Sequence, residues 1–326
     1  MKAIQFNRFG GPEVLEIVER PTPQPGPGEV LVRVRAAGVN YFETLLRRNL
    51  YAVTPELPMV PGVEVAGEIE AVGEGVDPAL IEARVAVPMF AIGRPTGGYA
   101  EYVAIEASAV VPLPGGLSFE DAAALLVQGL SALHLVRHSP PRGRTVLVTA
   151  AAGGVGSLLL QLARHTGAER VIAVAGGQEK LDVARSLGAD LSIDYGKPGW
   201  AALVRDATGG AGADIVYDTV GGDVTRACLE ALAPRGELVF GALGRFELGA
   251  AELEGMILQN QSLKGFALLP LLTPEGLRVD LAELFALAAS GALRVIRGSS
   301  YRLDQAAEAH RALEDRKSTG KVVLIP

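Results

Sequence analysis

Residues 140–177 read PPRGRTVLVTAAAGGVGSLLLQLARHTGAERVIAVAGG, and this stretch decides the fold. Thr145 to Thr149 is apolar between its ends, the pattern of a parallel strand covered on both faces. A glycine turn follows, then a helix from Gly156 to Thr166 that stops before Gly167. Val171 to Ala175 is a second strand. Ala151-Ala152-Gly153-Gly154-Val155-Gly156 is a G-x-G-x-x-G fingerprint with alanine in its first slot. Strand, turn and helix within about 30 residues are the context this fingerprint requires. Gly153 lets the backbone approach a pyrophosphate, and Gly156 lets the helix pack close to the strand. The helix start adds unpaired N–H groups and a partial positive charge. Ala152, Gly153, Gly154, Val155 and Gly156 are therefore candidate dinucleotide contacts.

The alternation continues outward. Helices are expected at Lys180–Leu187, Trp200–Thr208 and Asp223–Leu232. Strands are expected at Leu191–Asp194, Ala213–Asp218, Gly236–Gly241 and Ser262–Ala267. This rhythm predicts a doubly wound parallel sheet. An NAD site places an acid at the tip of the second strand. Here Ala175, Gly176 and Gly177 stand there, which leaves room for a 2′-phosphate that Lys180 can reach as a point charge. That favours NADPH, although Glu179 lies one residue before the lysine.

Before residue 118 the texture is β-rich, with short runs at Ala3–Phe6, Val30–Ala36, Val63–Val72, Val85–Pro88 and Tyr99–Ala104. Pro21 to Glu29, PTPQPGPGE, is a surface connection. Ser118 is set to cap an Ala/Leu-rich helix. The tail carries helices at Leu277–Ser290 and Asp304–Asp315 and a closing strand at Lys321–Ile325. The chain has 326 residues, 49% hydrophobic and 21% charged, with a net charge of −7. That balance opposes binding to a polyanion, so no nucleic-acid partner is expected. No apolar run is read as reaching membrane-span length, and no signal-peptide core is read at the N-terminus. A cytoplasmic enzyme is expected. The single cysteine, Cys228, excludes an internal disulfide and a four-cysteine zinc site.

Several segments together resemble the zinc-independent quinone oxidoreductases of the medium-chain dehydrogenase/reductase superfamily, the zeta-crystallin group. They are FGGPEVLE (9–16), AAGVNYFETLLRRNLY (36–51), PGVEVAGEIEAVGEGV (61–76), GGYAEYV (97–103), AAAGGVG (150–156) and the terminal TGKVVLIP. The resemblance implies an α/β protein in which a GroES-like β-rich catalytic domain (1–122 and 268–326) carries an inserted Rossmann domain (123–267). It places the active site in the cleft and implies a homodimer. In the zinc branch the position of Asn40 carries a cysteine ligand and that of Val63 a histidine. Both are absent here. Cys228, His134, His138, His165 and His310 fall on predicted helices, away from Asn40 and Glu64, and are read as surface or packing residues. No metal is expected.

Without a metal, alcohol oxidation loses its Lewis acid. Hydride transfer from NADPH to a quinone or enone needs mainly positioning, because the acceptor delocalises the charge itself. The resemblance carries Asn40 over as a polar group near the nicotinamide ribose and the acceptor, or as the cap of the helix after it. Tyr51 would line the mouth of the cleft and Gln128 would lie near the nicotinamide. Tyr195 would stack by the adenosine or touch its phosphate. Val220, Gly241, Ala242 and Leu243 would line the nicotinamide half. Phe266 would wall it or serve as core, and Lys321 would reach the cofactor from the tail. Relatives often carry an active-site tyrosine where this chain has Leu45. Glu64 and Asp218 are read as structural acids. Three readings follow: quinone reduction, enoyl or alkenal reduction, and a non-catalytic NADPH- or RNA-binding crystallin-like role.

Overall fold

In the computed structural model, which describes residues 1–326 apart from Leu243, Gly244 and Phe246, Thr145–Val148 forms a buried strand, β1. The chain divides into two units, Met1–Leu130 with Leu272–Pro326, and Ser131–Leu271. In the second unit β1 is joined by β2 (Arg170–Ala175), β3 (Leu191–Asp194), β4 (Ala213–Asp218), β5 (Leu232–Phe240) and β6 (Ser262–Gly265). Their order across the sheet is β3-β2-β1-β4-β5-β6, and every pairing is parallel. The order reverses between β1 and β4, the switch point at which open α/β sheets bind ligands beyond their strand carboxyl ends.

Helices α1 (Gly154–His165), α2 (Gln178–Ser186), α3 (Trp200–Ala207), α4 (Asp223–Ala231) and α5 (Ala250–Gln259) connect the strands. Apolar side chains on one sheet face, among them Leu147, Ile172, Val216 and Leu238, meet Trp200 and Val204 of α3 and Cys228 and Ala231 of α4. Uniformly apolar strands are what such two-sided burial requires. The sequence pattern does not predict the helix α5.

The first unit is built on the long strand Glu29–Val39. It pairs antiparallel with Val65–Val72, Tyr102–Glu106 and Lys321–Ile325. Arg84–Val87 and Val111–Pro112 extend one side of the sheet. Arg297–Arg302 lies parallel to Lys321–Ile325 on the other. That edge strand, RGSSYR, is mostly exposed and shows no apolar alternation, which is why periodicity missed it. Val32, Val34, Ile69, Val85, Ile105, Val322 and Leu324 share one core.

Ser118 caps its helix as expected, its Oγ accepting from the Asp121 N–H at 3.1 Å. The helical run then passes through a π turn at Leu125–Gly129 before continuing as Leu130–His138. This run corrects one expectation. Among the described residues, Phe119–His138 does have the length and hydropathy of a membrane span. It is 61% buried within the protein over its most apolar window, however, which is the mark of a core helix.

Candidate active site

The carboxyl edge of the second unit's sheet gathers the predicted nucleotide contacts. After β1 the chain turns at Ala150, whose carbonyl accepts from the Gly153 N–H at 2.8 Å. Gly153 is the N-cap of α1. The N–H groups of Gly154, Val155 and Gly156 fall in the first helical turn, where no carbonyl one turn back exists to take them. A Cβ on Gly156 would lie 2.3 Å from the Ala150 carbonyl oxygen and 2.9 Å from the Ala151 Cα. Only glycine lets α1 start this close to β1.

Neighbouring strand ends complete the edge. Tyr195 follows β3, and its ring lies 3.4 Å from where a Gly176 Cβ would stand. Asp194 Oδ1 accepts from the Gly177 and Gly196 N–H groups, which ties the β2 and β3 exits together. Lys180 is half-buried in the first turn of α2. Asp218 ends β4 and is buried; its Oδ1 takes the Thr149 hydroxyl at 3.2 Å and the Val220 and Gly221 N–H groups at 2.8 and 3.2 Å. Its Oδ2 takes the Thr225 hydroxyl at 2.5 Å. Asp218 therefore shapes the loop that carries Val220. Gly241 and buried Ala242 follow β5. Phe266 follows β6, edge-on to the His138 ring at 5.9 Å between centroids.

The first unit holds a buried polar cluster around Asn40. Asn40 precedes the helix Tyr41–Arg47 in extended conformation. Its Nδ2 donates to Glu64 Oε1 at 2.8 Å and, more weakly, to Glu43 Oε2 at 3.4 Å. The Lys321 ammonium donates to Asn40 Oδ1 at 2.9 Å and to Glu64 Oε1 at 2.5 Å. The other Glu64 oxygen accepts from the Val127 N–H at 2.7 Å. Glu64 and Lys321 are 0% and 2% exposed, so this is an ion pair wholly removed from water. Gly38 makes room for it, since a Cβ there would meet Glu64 Oε1 at 2.3 Å.

A second set of bonds runs from Asn40 into the core. Glu43 Oε2 accepts from the Asn40 N–H at 2.8 Å and from the Tyr99 hydroxyl at 3.1 Å, while Oε1 accepts from the Gly62 N–H at 3.0 Å. Tyr99 Oη lies 3.2 Å from His310 Nε2, and Arg47 stands 3.3 Å from His310 Nδ1. Arg47 also pairs with Glu314 at 2.5 Å. Burial pushes the Glu43 carboxyl up to about 7, against the pull of its donors and of Lys321. Burial, reinforced by the Arg47 charge, pushes His310 down to about 3.

These two shifts act on stability in opposite senses. His310 is depressed, so its contribution is complete above about pH 6.5 and is lost as pH falls toward 3. Glu43 is raised, so its contribution is complete below about pH 4.5 and is lost as pH climbs through 7. Between about pH 4.5 and 6.5 they offset each other. The variant His310→Gln leaves Glu43 alone. Its stability relative to the native chain should rise by about 1.4 kcal/mol per pH unit on acidification through that window. Urea midpoints measured at pH 6.5 and 4.5 check this, and parallel profiles for the two proteins would refute it.

Residues 26–115 match the family model described as alcohol dehydrogenase GroES-like domain, and residues 187–324 match that described as zinc-binding dehydrogenase. A quinone oxidoreductase of Pseudomonas aeruginosa is 39% identical, covering 100% of this chain and 99% of its own. The chain belongs to the quinone oxidoreductase family of the medium-chain dehydrogenase/reductase superfamily. The quinone oxidoreductase of Escherichia coli, solved in complex with NADPH, is 32% identical with a TM-score of 0.89 and full coverage of both chains. A 2-haloacrylate reductase of a Burkholderia species is 32% identical over 99% of this chain and 98% of its own.

For a quinone oxidoreductase, the expected site residues distribute as follows. Ala152 through Gly156, Gly176, Lys180, Tyr195, Val220, Gly241, Ala242 and Phe266 all follow strand carboxyl ends in the second unit. Leu243 lies outside the described residues. Asn40 and Lys321 meet directly in the first unit. Tyr51 packs on Phe42 with ring centroids 5.3 Å apart. Gln128 lies in the π turn, and its Oε1 is buried without a hydrogen-bond partner among the described residues. Asn40 is the N-cap residue of its helix, and Glu43 reaches back to the Asn40 N–H. His310 corrects an expectation: it is not remote from the Asn40 cluster but joined to it through Tyr99 and Glu43. Nothing local in the sequence marks Tyr99, Glu43 or Arg47. Among the described residues, no group of three or more His, Cys, Asp or Glu is arranged to hold a metal ion.

Proposed function

We propose that this chain reduces quinones with NADPH and needs no zinc. The observation that carries the reading is the Lys321 ammonium seated on Asn40 Oδ1 and Glu64 Oε1. The chain thereby brings its own cation to the position where the zinc branch has a ligand. An alkoxide needs a Lewis acid to form, whereas a quinone takes up the charge itself.

The strand-end residues fit a dinucleotide. The glycine turn and the start of α1 suit a pyrophosphate, because their N–H groups and helix dipole favour an anion. Tyr195 over Gly176 offers a flat face for the adenosine. Lys180 is suited to the 2′-phosphate, and the buried Gln128 Oε1, which has no partner among the described residues, suits a carboxamide N–H. NADPH, when bound, supplies the hydride. Asn40 and Lys321 orient the reacting groups, and the proton for the reduced acceptor comes from solvent. Loss of NADPH absorbance on adding 1,4-benzoquinone tests this. Turnover should persist with 1,10-phenanthroline present, and inactivation by the chelator would sink the zinc-free reading. The relation to a 2-haloacrylate reductase supports a second reading, reduction of activated alkenes. A panel of quinones against enones separates the two.

Lys180→Glu tests the nucleotide choice. It should raise KM for NADPH about 10- to 100-fold, the worth of a charge-assisted phosphate contact, with little change for NADH. Equal losses with both nucleotides would remove Lys180 from the site.

We further infer a homodimer. β6 is a sheet edge, and beside it Leu253, Ile257, Leu258 and Leu263 are exposed, Leu258 at 80%. Such an edge invites a second copy of itself about a two-fold axis. A single-chain mass in sedimentation at micromolar concentration would exclude it. The lone, buried cysteine suits a reducing compartment, and we place the chain in the cytoplasm, which fractionation of cells can check.

A further inference from the structure

The bonds behind Asn40 run in one direction. Arginine is only a donor, so His310 Nδ1 must accept from Arg47. A neutral imidazole that accepts at Nδ1 carries its proton on Nε2. His310 Nε2–H therefore donates to Tyr99 Oη, and the tyrosine hydroxyl is left to donate to Glu43. Every neighbour of the Glu43 carboxyl is then a donor: the Asn40 N–H, the Asn40 amide, the Gly62 N–H and Tyr99. A protonated Glu43 could donate only to the Tyr99 oxygen, and the tyrosine proton would then lose the acceptor it now has. The remaining charged groups around it are Lys321 and Glu64 on their strands, Arg47 one turn along its own helix, and Glu314 beyond Arg47.

We propose that Tyr99 and His310 are positioning residues for Asn40, acting through Glu43: the polarised line Arg47, His310, Tyr99 favours the carboxylate over the neutral acid, against the burial that opposes it, and the carboxylate holds Asn40 by backbone and side chain. Glu43, Tyr99 and His310 are buried, and no step proposed above uses them. The arrangement costs desolvation of three polar side chains, which a merely structural cap would not need. Ionised Glu43 fixes Asn40 against Glu64 and Lys321. Protonated Glu43 releases it. The inference relies on the hydride-transfer reading only for its kinetic consequence.

The test follows the Glu43 carboxyl by carbon-13 NMR and the Asn40 side-chain amide by nitrogen-15 NMR, in the protein without nucleotide, across pH 5 to 9. The carboxyl midpoint should fall at about 7, with the Asn40 signals moving alongside it. Tyr99→Phe removes one donor and should raise both midpoints by about one to two pH units. His310→Leu should do the same by leaving the Tyr99 hydroxyl without its donor. His310→Gln should recover the native midpoint, because its Oε1 can accept from Arg47 while its Nε2 donates to Tyr99. The acid limb of kcat with 1,4-benzoquinone should follow these midpoints while NADPH affinity stays constant.

An Asn40 amide indifferent to the Glu43 titration would overturn the proposal, as would glutamine and leucine behaving alike at 310. If Tyr99→Phe does not fold, the two His310 variants decide. If the native chain turns over no quinone, the functional reading fails while the NMR midpoints still decide the relay.

Discussion

Gly156→Val is expected to abolish NADPH binding while leaving the first unit folded. Even the first side-chain carbon would sit 2.3 Å from the Ala150 carbonyl oxygen and 2.8 Å from its carbon. Those are backbone atoms of the turn, so no rotamer change relieves the overlap. α1 must move away from β1, and the first-turn N–H groups move with it. Overpacking of this kind costs about 1–3 kcal/mol of stability. The effect on affinity is larger, because the proposed phosphate site is made of backbone that has been displaced. A loss of at least about 100-fold, or about 3 kcal/mol, is expected in a fluorescence titration with NADPH. Gly153→Ala is the control: its Cβ would meet the same oxygen at 3.1 Å, a contact that a small shift accommodates. Comparable affinities for Gly156→Val and the native chain would mean that the turn is not the phosphate site.

Lys321→Met should be the most destabilising change in the first unit. It keeps much of the side-chain volume but removes the cation that faces Glu64. The Glu64 carboxylate has no exposure and would keep, among the described residues, only the Asn40 amide and the Val127 N–H as donors. Removing one partner of a buried ion pair costs about 3–5 kcal/mol, because the charge left behind stays out of water. Adding Glu64→Gln should return most of that loss, since both buried charges are then gone. Guanidinium denaturation of the two single variants and the double variant forms a closed cycle. If Lys321→Met costs under about 1 kcal/mol, the pair is not the anchor described here. Quinone turnover should fall in both Lys321 variants, because Asn40 loses the donor to its Oδ1 even when stability returns.

The parallel sheet was readable because its signals are local. Thr145–Val148 is an unbroken apolar run, the glycine turn follows within a few residues, and Gly167 stops α1. The strand-end positions of the candidate nucleotide contacts came with it, since each strand end is fixed once the strands are ordered. The Asn40 cluster was legible only in part. Asn40, Glu64 and Lys321 stood out by resemblance, yet their mutual bonding depends on three strands meeting in space. The line through Glu43, Tyr99, His310 and Arg47 was not legible at all. Its members come from three distant parts of the chain, and a lone histidine on an amphipathic helix reads as packing. The π turn at Leu125–Gly129 was equally hidden, because it departs from the 3.6-residue period by which helices are recognised.

The strand Lys321–Ile325 lies inside the sheet of the first unit, with Glu29–Val39 on one side and Arg297–Arg302 on the other. Val39 must therefore wait for Val322, about 280 positions later, before its last ladder can close. The inserted unit, 131–271, contains all six of its own strands and can finish while the ribosome is still working. Synthesis thus leaves the N-terminal strands with an open flank for most of the time the chain is being made. Chaperone demand should peak late in translation, and it should be set by how quickly the final strand arrives rather than by the stability of the nucleotide fold.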